Sequence, residues 1–213
     1  MIYLSSDLWF PPHEYTTEEG LLALGGDLSS ERLLLAYRSG IFPWFSEGEP
    51  ILWWSPDPRM VLFPDELKVS KSLKRTLKKE IFKVTFNTHF SEVIQQCAQK
   101  VRPGQESTWI TQEMIEAYEK LHEMGHAKSV EVWKDDRLVG GLYGIDLPEY
   151  KVFCGESMFS HESDASKVGF YYWVQELKSR EYRLIDCQIH TAHLESLGAK
   201  EIPRSTFMRL LGD

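Results

Sequence analysis

Apolar residues recur at helical spacing in four segments of the chain, residues 30–39, 70–80, 111–125 and 164–179. Ser70 and Thr111 stand where their side-chain oxygens can accept a backbone N–H at the start of a helix. Gly40 and Gly125 stand where a helix end is often capped by a residue with positive φ. The pattern therefore predicts four helices.

Shorter segments with apolar alternation or a brief apolar run predict four strands, at residues 128–134, 138–144, 151–159 and 184–188. A further helix is expected to begin near His190. The order strand, strand, strand, helix, strand, helix indicates an α+β or α/β layer. It resembles the acyltransferase core of the N-acetyltransferase superfamily.

The first 63 residues differ in texture from the rest, because they are rich in aromatic residues, Pro and Gly. Residues 41–45 and 53–59 are so dense in these types that we expect ordered loops rather than regular elements there. The chain of 213 residues is therefore predicted to divide into a small N-terminal domain, 1–63, and a larger domain, 64–213.

Cysteine usage and the lack of long apolar runs indicate the cellular compartment. The three cysteines, Cys97, Cys154 and Cys187, are few and widely spaced, which favours a reducing cytosol over a disulfide framework. Residues 1–15 carry charges and two prolines, unlike a signal peptide, and no apolar run reaches membrane-spanning length. A cytoplasmic protein without a membrane partner is expected.

The net charge of −8 hides one dense basic segment. The segment contains Lys68, Lys71, Lys74, Arg75, Lys78, Lys79 and Lys83. On the predicted helix, Lys71, Lys74, Arg75 and Lys78 lie on one side, and Leu73, Leu77 and Ile81 form an apolar stripe on the other. Such a face is often merely solvated, but in an acidic protein it can also bind a polyanion locally.

Two carboxylates stand next to apolar strand segments, Glu156 in the sequence GESMFS and Asp186 in LIDCQ. One interpretation is structural: each pairs with an Arg or with backbone N–H groups to hold the core. The other is an acid/base cluster that handles a proton from an amine nucleophile. The sequence alone leaves both open, with the structural interpretation favoured by frequency.

Three other candidate sites carry weaker signals. Ser157 lacks the Gly-x-Ser-x-Gly elbow, and Cys187 has only His190 nearby, so neither is expected to be a covalent nucleophile. Cys187, His190 and His193 lack a fourth zinc ligand, so no metal is expected. The glycines at 140, 141 and 144 match no phosphate-binding motif and indicate close packing instead.

Eight motifs together resemble the leucyl/phenylalanyl-tRNA–protein transferase family over nearly the whole chain. They are GLLALGGDLS at 20–29, GIFPWF at 40–45, WWSPDPR at 53–59, TWIT at 108–111, GESMFS at 155–160, LIDCQ at 184–188, SLGA at 196–199 and IPR at 202–204. The resemblance implies a small N-terminal domain joined to an acetyltransferase-like (GNAT-type) α+β domain.

The resemblance also implies an activity. The family moves Leu, Phe and, less efficiently, Met from aminoacyl-tRNA to the N-terminal Arg or Lys of acceptor proteins, which marks them for N-end rule degradation. It uses no metal and no organic cofactor. On this basis the basic residues Lys71, Lys74, Arg75 and Lys78 are expected to bind tRNA.

The resemblance assigns roles to individual residues. Gln188 would accept a hydrogen bond from the acceptor amine, Asp186 would polarise or relay through Gln188, and Glu156 would orient the acceptor N-terminus. The donor side chain would enter an apolar pocket, formed by Trp44, Trp109, Leu142, Phe153, Met158, Trp173 and Ile185.

Two other classes of function remain possible on the sequence. An acetyl-CoA-dependent N-acetyltransferase would require a glycine loop before a helix, whereas residues 140–144 precede a strand. A noncatalytic RNA-binding module would use the basic helix but would leave Glu156, Asp186 and Gln188 without a role.

Overall fold

The computed structural model describes residues 2–99 and 109–212. The helices are α1 (Ser30–Arg38), α2 (Lys71–Lys78), α3 (Phe90–Gln99), α4 (Gln112–Glu123), α5 (Ala165–Ser179), α6 (Ala192–Ser196) and α7 (Arg204–Leu211). The strands are β1 (Tyr3–Leu4), β2 (Leu21–Gly25), β3 (Phe42–Pro43), β4 (Leu52–Trp54), β5 (Arg59–Leu62), β6 (Lys83–Phe86), β7 (Ala127–Lys134), β8 (Arg137–Leu147), β9 (Val152–Ser160), β10 (Leu184–Gln188) and β11 (Lys200–Ile202). This mixed architecture confirms the predicted α+β class.

The larger sheet has seven strands in the order β11-β5-β10-β9-β8-β7-β6. All of its neighbours are antiparallel except β9 and β10, which run parallel because α5 carries the chain from one to the other. Asp186 lies opposite Cys154 in this parallel pair. The two strands that carry the candidate carboxylates are therefore neighbours at the centre of the sheet.

The smaller sheet has four strands in the order β1-β2-β4-β3. Two of them, β3 and β4, overlap segments that the sequence predicted as loops, so that prediction is wrong for the residues in these strands. Trp53 on β4 shows the reason: its side chain is fully buried, its ring packs against Phe10, and its indole N–H donates to the Gly25 carbonyl oxygen at 2.8 Å. The aromatic residues are dense here because the short strands pack on both faces.

The division between the sheets does not coincide with the predicted domain boundary at residues 63 and 64. Strand β5, assigned to the first domain, pairs with β10 and β11 inside the larger sheet. One continuous apolar cluster also includes Trp53 from the small sheet and Tyr118 and Phe207 from the larger part. The existence of two domains therefore stays a prediction, and the two parts share a core.

Helices α1, α2, α4 and α5 and strands β7 to β10 confirm the predicted elements, with small shifts in their ends. Ser70 and Thr111 cap α2 and α4 as expected, because their hydroxyl oxygens accept the N–H groups of Leu73 and Met114. The apolar stripe of α2 is narrower than predicted. Ile81 lies beyond the end of the helix, with 46% of its surface exposed.

The glycines of β8 confirm close packing. A Cβ at Gly144 would lie 2.2 Å from the Cys154 carbonyl oxygen and 2.5 Å from the Phe153 ring. Cβ atoms at Gly140 and Gly141 would also approach neighbours within 2.8 Å. Strand β8 can therefore pack this closely against its neighbours only because these three positions carry no side chain.

Two observations concern the predicted cellular setting. The cysteines Cys97, Cys154 and Cys187 are all buried and free. In the part of the chain that the structure describes, no helix combines the length and the apolar character that a bilayer span requires.

We predict that Gly144→Ala destabilises the fold by at least about 2 kcal/mol, because the contacting carbonyl and ring cannot both move away. Urea unfolding measures the change. Gly155→Ala is the matched control, since its Cβ would meet only the Asp186 carbonyl oxygen, at 3.8 Å, and we expect a change below about 1 kcal/mol. Equal stability of the two variants would contradict the close-packing interpretation.

Candidate active site

Strands β9 and β10 separate at the centre of the larger sheet. Their parallel pairing ends at Cys154 of β9 and Asp186 of β10. At this level β10 bulges against β5, with Cys187 as the extra residue, and Gln188 takes a left-handed φ of 65°. A bulge re-aims the next side chain, and Gln188 therefore lies across the opening from Glu156 of β9.

A buried ion pair fixes the base of this opening. The Arg59 Nε and Nη2 atoms donate to the two carboxylate oxygens of Asp186 at 2.8 and 2.7 Å, and both side chains are 1% exposed. Arg59 Nη1 donates to the Gly40 carbonyl oxygen at 3.1 Å. The guanidinium group lies between the rings of Phe42 and Phe207, at 4.9 and 4.7 Å. The pair meets the conditions under which charges tolerate burial, namely bidentate geometry and further partners.

Asp186 acts on Gln188 through the backbone. The Gln188 backbone N–H donates to Asp186 Oδ1 at 2.9 Å. The Gln188 side chain points elsewhere, because its Nε2 donates to Glu156 Oε1 at 2.7 Å. The expected relay from Asp186 through the Gln188 side chain therefore has no direct hydrogen bond here, and Asp186 instead holds the bulge that positions Gln188.

Two buried tyrosines continue the hydrogen-bond chain from Glu156. Tyr118 donates its hydroxyl to Glu156 Oε2 at 3.3 Å, and Tyr37 shares a hydrogen bond with Tyr118. Tyr118 on α4 and Tyr37 on α1 are almost completely buried. Burial and the Glu156 charge raise the pKa of both phenols well above the ordinary value. Both tyrosines therefore stay protonated and can serve as hydrogen-bond donors.

Glu156 has an unusual acidity. Burial raises the pKa of its carboxyl to about 7. Hydrogen bonds from Tyr37 and Gln188 oppose this shift, the Asp186 charge adds to it, and the Tyr118 hydrogen bond opposes it. A carboxyl group with a pKa near 7 can take up a proton at neutral pH and release it again, which suits a general acid or base. Because Glu156 is only half-buried, a substrate can reach it.

A cavity of about 410 Å³ opens beside this chain. Its polar wall includes Glu156, Gln188, Tyr143 and Ser157. Its apolar and aromatic wall comprises Phe42, Pro43, Trp44, Trp109, Leu142, Phe153, Met158, Phe170, Ile185, Ile189 and Leu194. The remaining lining residues are Gly155, Cys187, Thr191 and His193. The cavity is concave and mostly apolar with a few convergent polar groups, which is typical of small-molecule sites.

Six of the seven expected donor-pocket residues line this cavity: Trp44, Trp109, Leu142, Phe153, Met158 and Ile185. Trp173 does not line it. Its ring packs against Phe153 at 5.1 Å and Phe86 at 5.5 Å, with only 3% of its surface exposed. Trp173 therefore lies behind the cavity wall, and Phe170 from the same helix lines the cavity.

The expected tRNA-binding residues lie together on α2. Lys71, Lys74, Arg75 and Lys78 are exposed, and none forms an ion pair with any residue inside 2–99 and 109–212. They do not line the cavity. The structure therefore brings Glu156, Asp186 and Gln188 together and leaves the basic face as a separate surface. Thr108 of the TWIT motif lies outside the described residues.

The weaker candidates gain no support as nucleophiles or ligands. Burial and the nearby Asp186 charge raise the pKa of the Cys187 thiol well above its ordinary value, which disfavours the reactive thiolate. Burial likewise raises the pKa of Cys154. His190 lies 3.2 Å from Glu195. Within the described ranges, no group of three or more His, Cys, Asp and Glu side chains is placed to hold a metal ion.

Sequence reasoning missed three residues of the site, Arg59, Tyr37 and Tyr118. Arg59 closes the WWSPDPR motif, and a charged residue at the start of an apolar run was the available signal. The two tyrosines lie in the predicted helical segments 30–39 and 111–125, and the helical pattern alone gives them no role in a site. Their hydroxyl groups meet Glu156 through tertiary contacts, and helical spacing cannot indicate such contacts.

Comparison with known proteins identifies the family. The family model described as leucyl/phenylalanyl-tRNA protein transferase matches residues 61–212, and the model of that transferase's N-terminal domain matches residues 26–57. The leucyl/phenylalanyl-tRNA–protein transferase of Flavobacterium johnsoniae is 63% identical over 211 residues, covering 99% of this chain and 99% of the relative. The chain belongs to the leucyl/phenylalanyl-tRNA–protein transferase family. It is therefore a transferase enzyme.

Other members of the transferase family are similarly close. The protein of the same name from Syntrophobacter fumaroxidans is 55% identical over 210 residues, covering 99% of this chain and 89% of the relative. The one from Stutzerimonas stutzeri is 57% identical over 207 residues, covering 96% of this chain and 90% of the relative.

Solved structures show a looser similarity. A ribosomal-protein-alanine N-acetyltransferase from Brucella melitensis biovar Abortus 2308 matches with a TM-score of 0.38 and 14% identity, covering 54% of this chain and 84% of that one. A GCN5-related N-acetyltransferase from Kribbella flavida matches with a TM-score of 0.39 and 10% identity, covering 76% and 56%. Such scores carry no functional assignment, and membership in the transferase family rests on the sequence relatives.

We predict that Asp186→Ala destabilises the protein by about 3–5 kcal/mol, because Arg59 would remain buried as an unpaired charge. Arg59→Met should destabilise it similarly. The double variant should be clearly less destabilised than the sum of the two single variants, and urea unfolding of all four proteins measures this coupling. Additive effects would show that the two side chains stabilise the fold independently and not as a pair.

Proposed function

We propose that this enzyme moves Leu, Phe and, less efficiently, Met from aminoacyl-tRNA to the N-terminal Arg or Lys of acceptor proteins in the cytoplasm, and so marks them for N-end rule degradation. One observation supports this best. An apolar cavity, large enough for one of these side chains, opens directly beside a carboxyl group whose pKa is about 7. The names of the relatives support Leu and Phe on tRNA as donors and proteins as acceptors, whereas Met and the N-terminal Arg or Lys of the acceptor rest on what the family resemblance implies.

The reaction joins an amine to an ester that is already activated. The acceptor's α-amine nitrogen attacks the ester carbonyl carbon, an N–C bond forms, and the C–O bond to the tRNA 3′ end breaks. The amine gives up a proton, and the departing ribose oxygen gains one. The reference pKa of an α-amine is about 8, so a modest proton acceptor is sufficient. No covalent enzyme intermediate, metal or organic cofactor is required, and alignment of the two substrates supplies much of the catalysis.

In the polar wall, Gln188 and Glu156 have different proposed roles. Because Gln188 Nε2 donates to Glu156, the Gln188 carbonyl oxygen remains available to accept a hydrogen bond from the attacking amine. The ionised Glu156 carboxylate orients the acceptor N-terminus and then takes the proton. Asp186 acts indirectly, through the backbone N–H that fixes Gln188. Asp186 is therefore a positioning residue in this proposal.

The apolar wall accounts for the proposed choice of donors. Leu, Phe and Met share an apolar side chain without a branch at Cβ and differ in shape. A hydrophobic cavity discriminates only modestly among such shapes, and burial of a charged side chain in it without a partner is costly. Phe153 touches both the cavity and Trp173, so Trp173 affects donor choice indirectly, by supporting the Phe153 ring.

The α2 basic face supplies the proposed tRNA contact. Contacts to phosphate groups carry no sequence information, which suits an enzyme that accepts tRNAs charged with different amino acids. Lys71, Lys74, Arg75 and Lys78 are exposed and not neutralised within the described part of the chain. In this proposal the tRNA backbone binds on α2, and the aminoacylated 3′ end of the same tRNA reaches the cavity.

A transfer assay tests the proposed function directly. The protein is incubated with radiolabelled Leu-tRNA and a model protein that starts with Arg, and in parallel with the same protein starting with Ala. Label on the Arg protein alone is the expected result. Label on neither acceptor, or transfer from acetyl-CoA instead, would contradict the proposal. Binding of tRNA without transfer would indicate a noncatalytic RNA-binding protein.

The pKa of Glu156 generates a pH prediction. Ionised Glu156 takes the proton, so kcat/KM should rise with pH through about 7, and Glu156→Gln should remove this dependence. The Tyr118 hydrogen bond lowers the Glu156 pKa, so Tyr118→Phe should move the rise to higher pH. The acceptor's own amine titrates identically in every variant and serves as the internal reference. An unchanged profile in both variants would exclude Glu156 as the proton acceptor.

The α2 basic face generates a salt prediction. Lys74→Glu combined with Arg75→Glu should weaken the binding of Leu-tRNA and Phe-tRNA alike. The log–log slope of affinity against salt should become shallower by about one unit per lost phosphate contact at most. Transfer from aminoacyl-adenosine, which has no distant phosphates, should remain nearly unchanged. Normal tRNA binding across the salt titration would show that the face is merely solvated.

A further inference from the structure

Beyond Gln188, an exposed rim forms part of the wall of the cavity of about 410 Å³, which we call the donor cavity. The rim consists of Ile189, Thr191, His193 and Leu194, on the loop before α6 and on α6 itself. Ile189 is 38% exposed, and Thr191 and His193 are exposed as well. We call these four residues the α6 rim. The reaction described above does not use them.

The chain positions at and next to the cavity lining carry acidic charges but no lysine or arginine. None of the lining residues is Lys or Arg, and neither is any described residue that directly precedes or follows one of them in the chain. The carboxylates at these positions are Glu156, Asp186 and Glu195. Arg59 neutralises Asp186, and Glu156 is the proposed proton acceptor. Glu195 is therefore the carboxylate that still lacks a role.

Glu195 lies beside the α6 rim. It directly follows Leu194 and comes four residues after Thr191, and both of these residues line the cavity. Residues four apart on a helix share one face, with their Cβ atoms about 5–6 Å apart. The Glu195 Oε2 atom also lies 3.2 Å from Nε2 of His190, which is the second residue after Gln188. The carboxylate is thus close to the edge of the cavity on the side where Gln188 stands.

Glu195 is an exposed carboxylate whose ion-pair partner is a histidine. Its side chain is 66% exposed, and His190 is positive only when it is protonated. Among the residues that the structure describes, no Lys or Arg forms an ion pair with Glu195. Such a carboxylate can accept a charge-assisted hydrogen bond from a cation that a substrate brings.

The proposed acceptor has such a cation on its first residue. In the proposed reaction Gln188 and Glu156 hold the acceptor's α-amine, and the side chain of that residue branches from the carbon bonded to the amine. Because an unpaired cation is costly to bury against the apolar wall, a long Arg or Lys side chain has to leave the cavity over a polar edge. The α6 rim begins at the residue after Gln188 and leads to Glu195.

We propose that Glu195 binds the positive side chain of the acceptor's first residue at the α6 rim, and so favours Arg and Lys over uncharged residues. The inference rests on the proposed function, because it assumes an acceptor that begins with Arg or Lys. Arg presents a planar fork of N–H donors and Lys a compact ammonium group, and one carboxylate can pair with either. In this proposal the substrate cation replaces His190 as the partner of Glu195.

An uncharged analogue of arginine tests the contact. Citrulline has nearly the shape of arginine but no charge, so acceptor peptides that begin with Arg or with citrulline differ mainly in that charge. Glu195→Gln keeps the side-chain shape and should lower kcat/KM for the Arg peptide about three- to tenfold. The loss should lie in KM, because the contact does not change during the reaction. The citrulline peptide should stay within about twofold of the wild type.

Two further variants separate the charge of Glu195 from a structural role. Glu201→Gln is the matched control, because Glu201 is an exposed glutamate on β11 outside the cavity lining, and it should leave both peptides unchanged. Glu195→Lys should disfavour the Arg peptide more than Glu195→Gln does, because repulsion replaces attraction. An equal loss for the Arg and citrulline peptides in Glu195→Gln would make the residue structural and overturn the proposal.

Salt provides a readout that a structural role would not change. The wild-type preference for the Arg peptide over the citrulline peptide should shrink as salt is added, because an exposed charge pair is screened. In Glu195→Gln this salt dependence should be weaker. A preference that falls with salt equally in both proteins would place the recognition at another carboxylate and overturn the proposal.

The remaining outcomes distinguish this inference from the proposed function. If the wild-type protein transfers Leu from Leu-tRNA to the Arg peptide, and Glu195→Gln leaves the Arg-to-citrulline ratio unchanged, the inference fails and the function stands. Equal wild-type transfer to both peptides would also overturn the inference, because no charge would be recognised, while aminoacyl transfer itself would stand. If the wild-type protein transfers to neither peptide, the proposed function fails, and the inference with it.

Discussion

The ion pair between Arg59 and Asp186 is the constraint on which the rest of the site depends. Two charges that are 1% exposed are costly unless every strong donor and acceptor is satisfied. Here the guanidinium group also meets the Gly40 carbonyl oxygen and two aromatic rings, and the carboxylate also accepts the Gln188 backbone N–H. The pair thereby ties the small sheet's α1–β3 connection to β5 and β10 and fixes the bulge that presents Gln188.

The sequence predicted the parts of the fold that depend on local periodicity. A helix with a Ser or Thr cap is indicated by apolar residues three to four positions apart. An alternating strand is indicated by apolar residues two positions apart. The Arg59–Asp186 pair joins residues 127 positions apart, and no local pattern indicates such a contact. The same limit applies to β5: no local pattern indicates that it joins the larger sheet, because its partners, β10 and β11, lie near the other end of the chain.

The candidate site shows the same limit. The sequence indicates which residues are constrained, and only the structure shows where each one lies. Carboxylates beside apolar strand residues correctly marked Glu156 and Asp186 as constrained, and the structure gives them different constraints. Asp186 has the paired, structural environment that frequency favoured, and Glu156 is half-buried in the cavity wall with a carboxyl pKa of about 7. Trp173 illustrates the limit for apolar residues. Hydrophobicity indicates burial, but only packing shows whether a ring forms the cavity wall or supports it from behind, as Trp173 supports Phe153.

Strand separation explains why Glu156 and Gln188 share one cavity with an apolar wall. A continuous sheet would close the space between β9 and β10 with ladder hydrogen bonds, and parallel strands normally keep an even register. The bulge at Cys187 ends that register after Asp186, and Gly155, beside Glu156, brings no side chain into the gap. Where the ladder hydrogen bonds end, the side chains of Glu156 and Gln188 border an apolar space. Phe153 and Ile185, from the same two strands, line that space. The geometry that opens an apolar cavity thus also places the polar side chains of Glu156 and Gln188 in its wall.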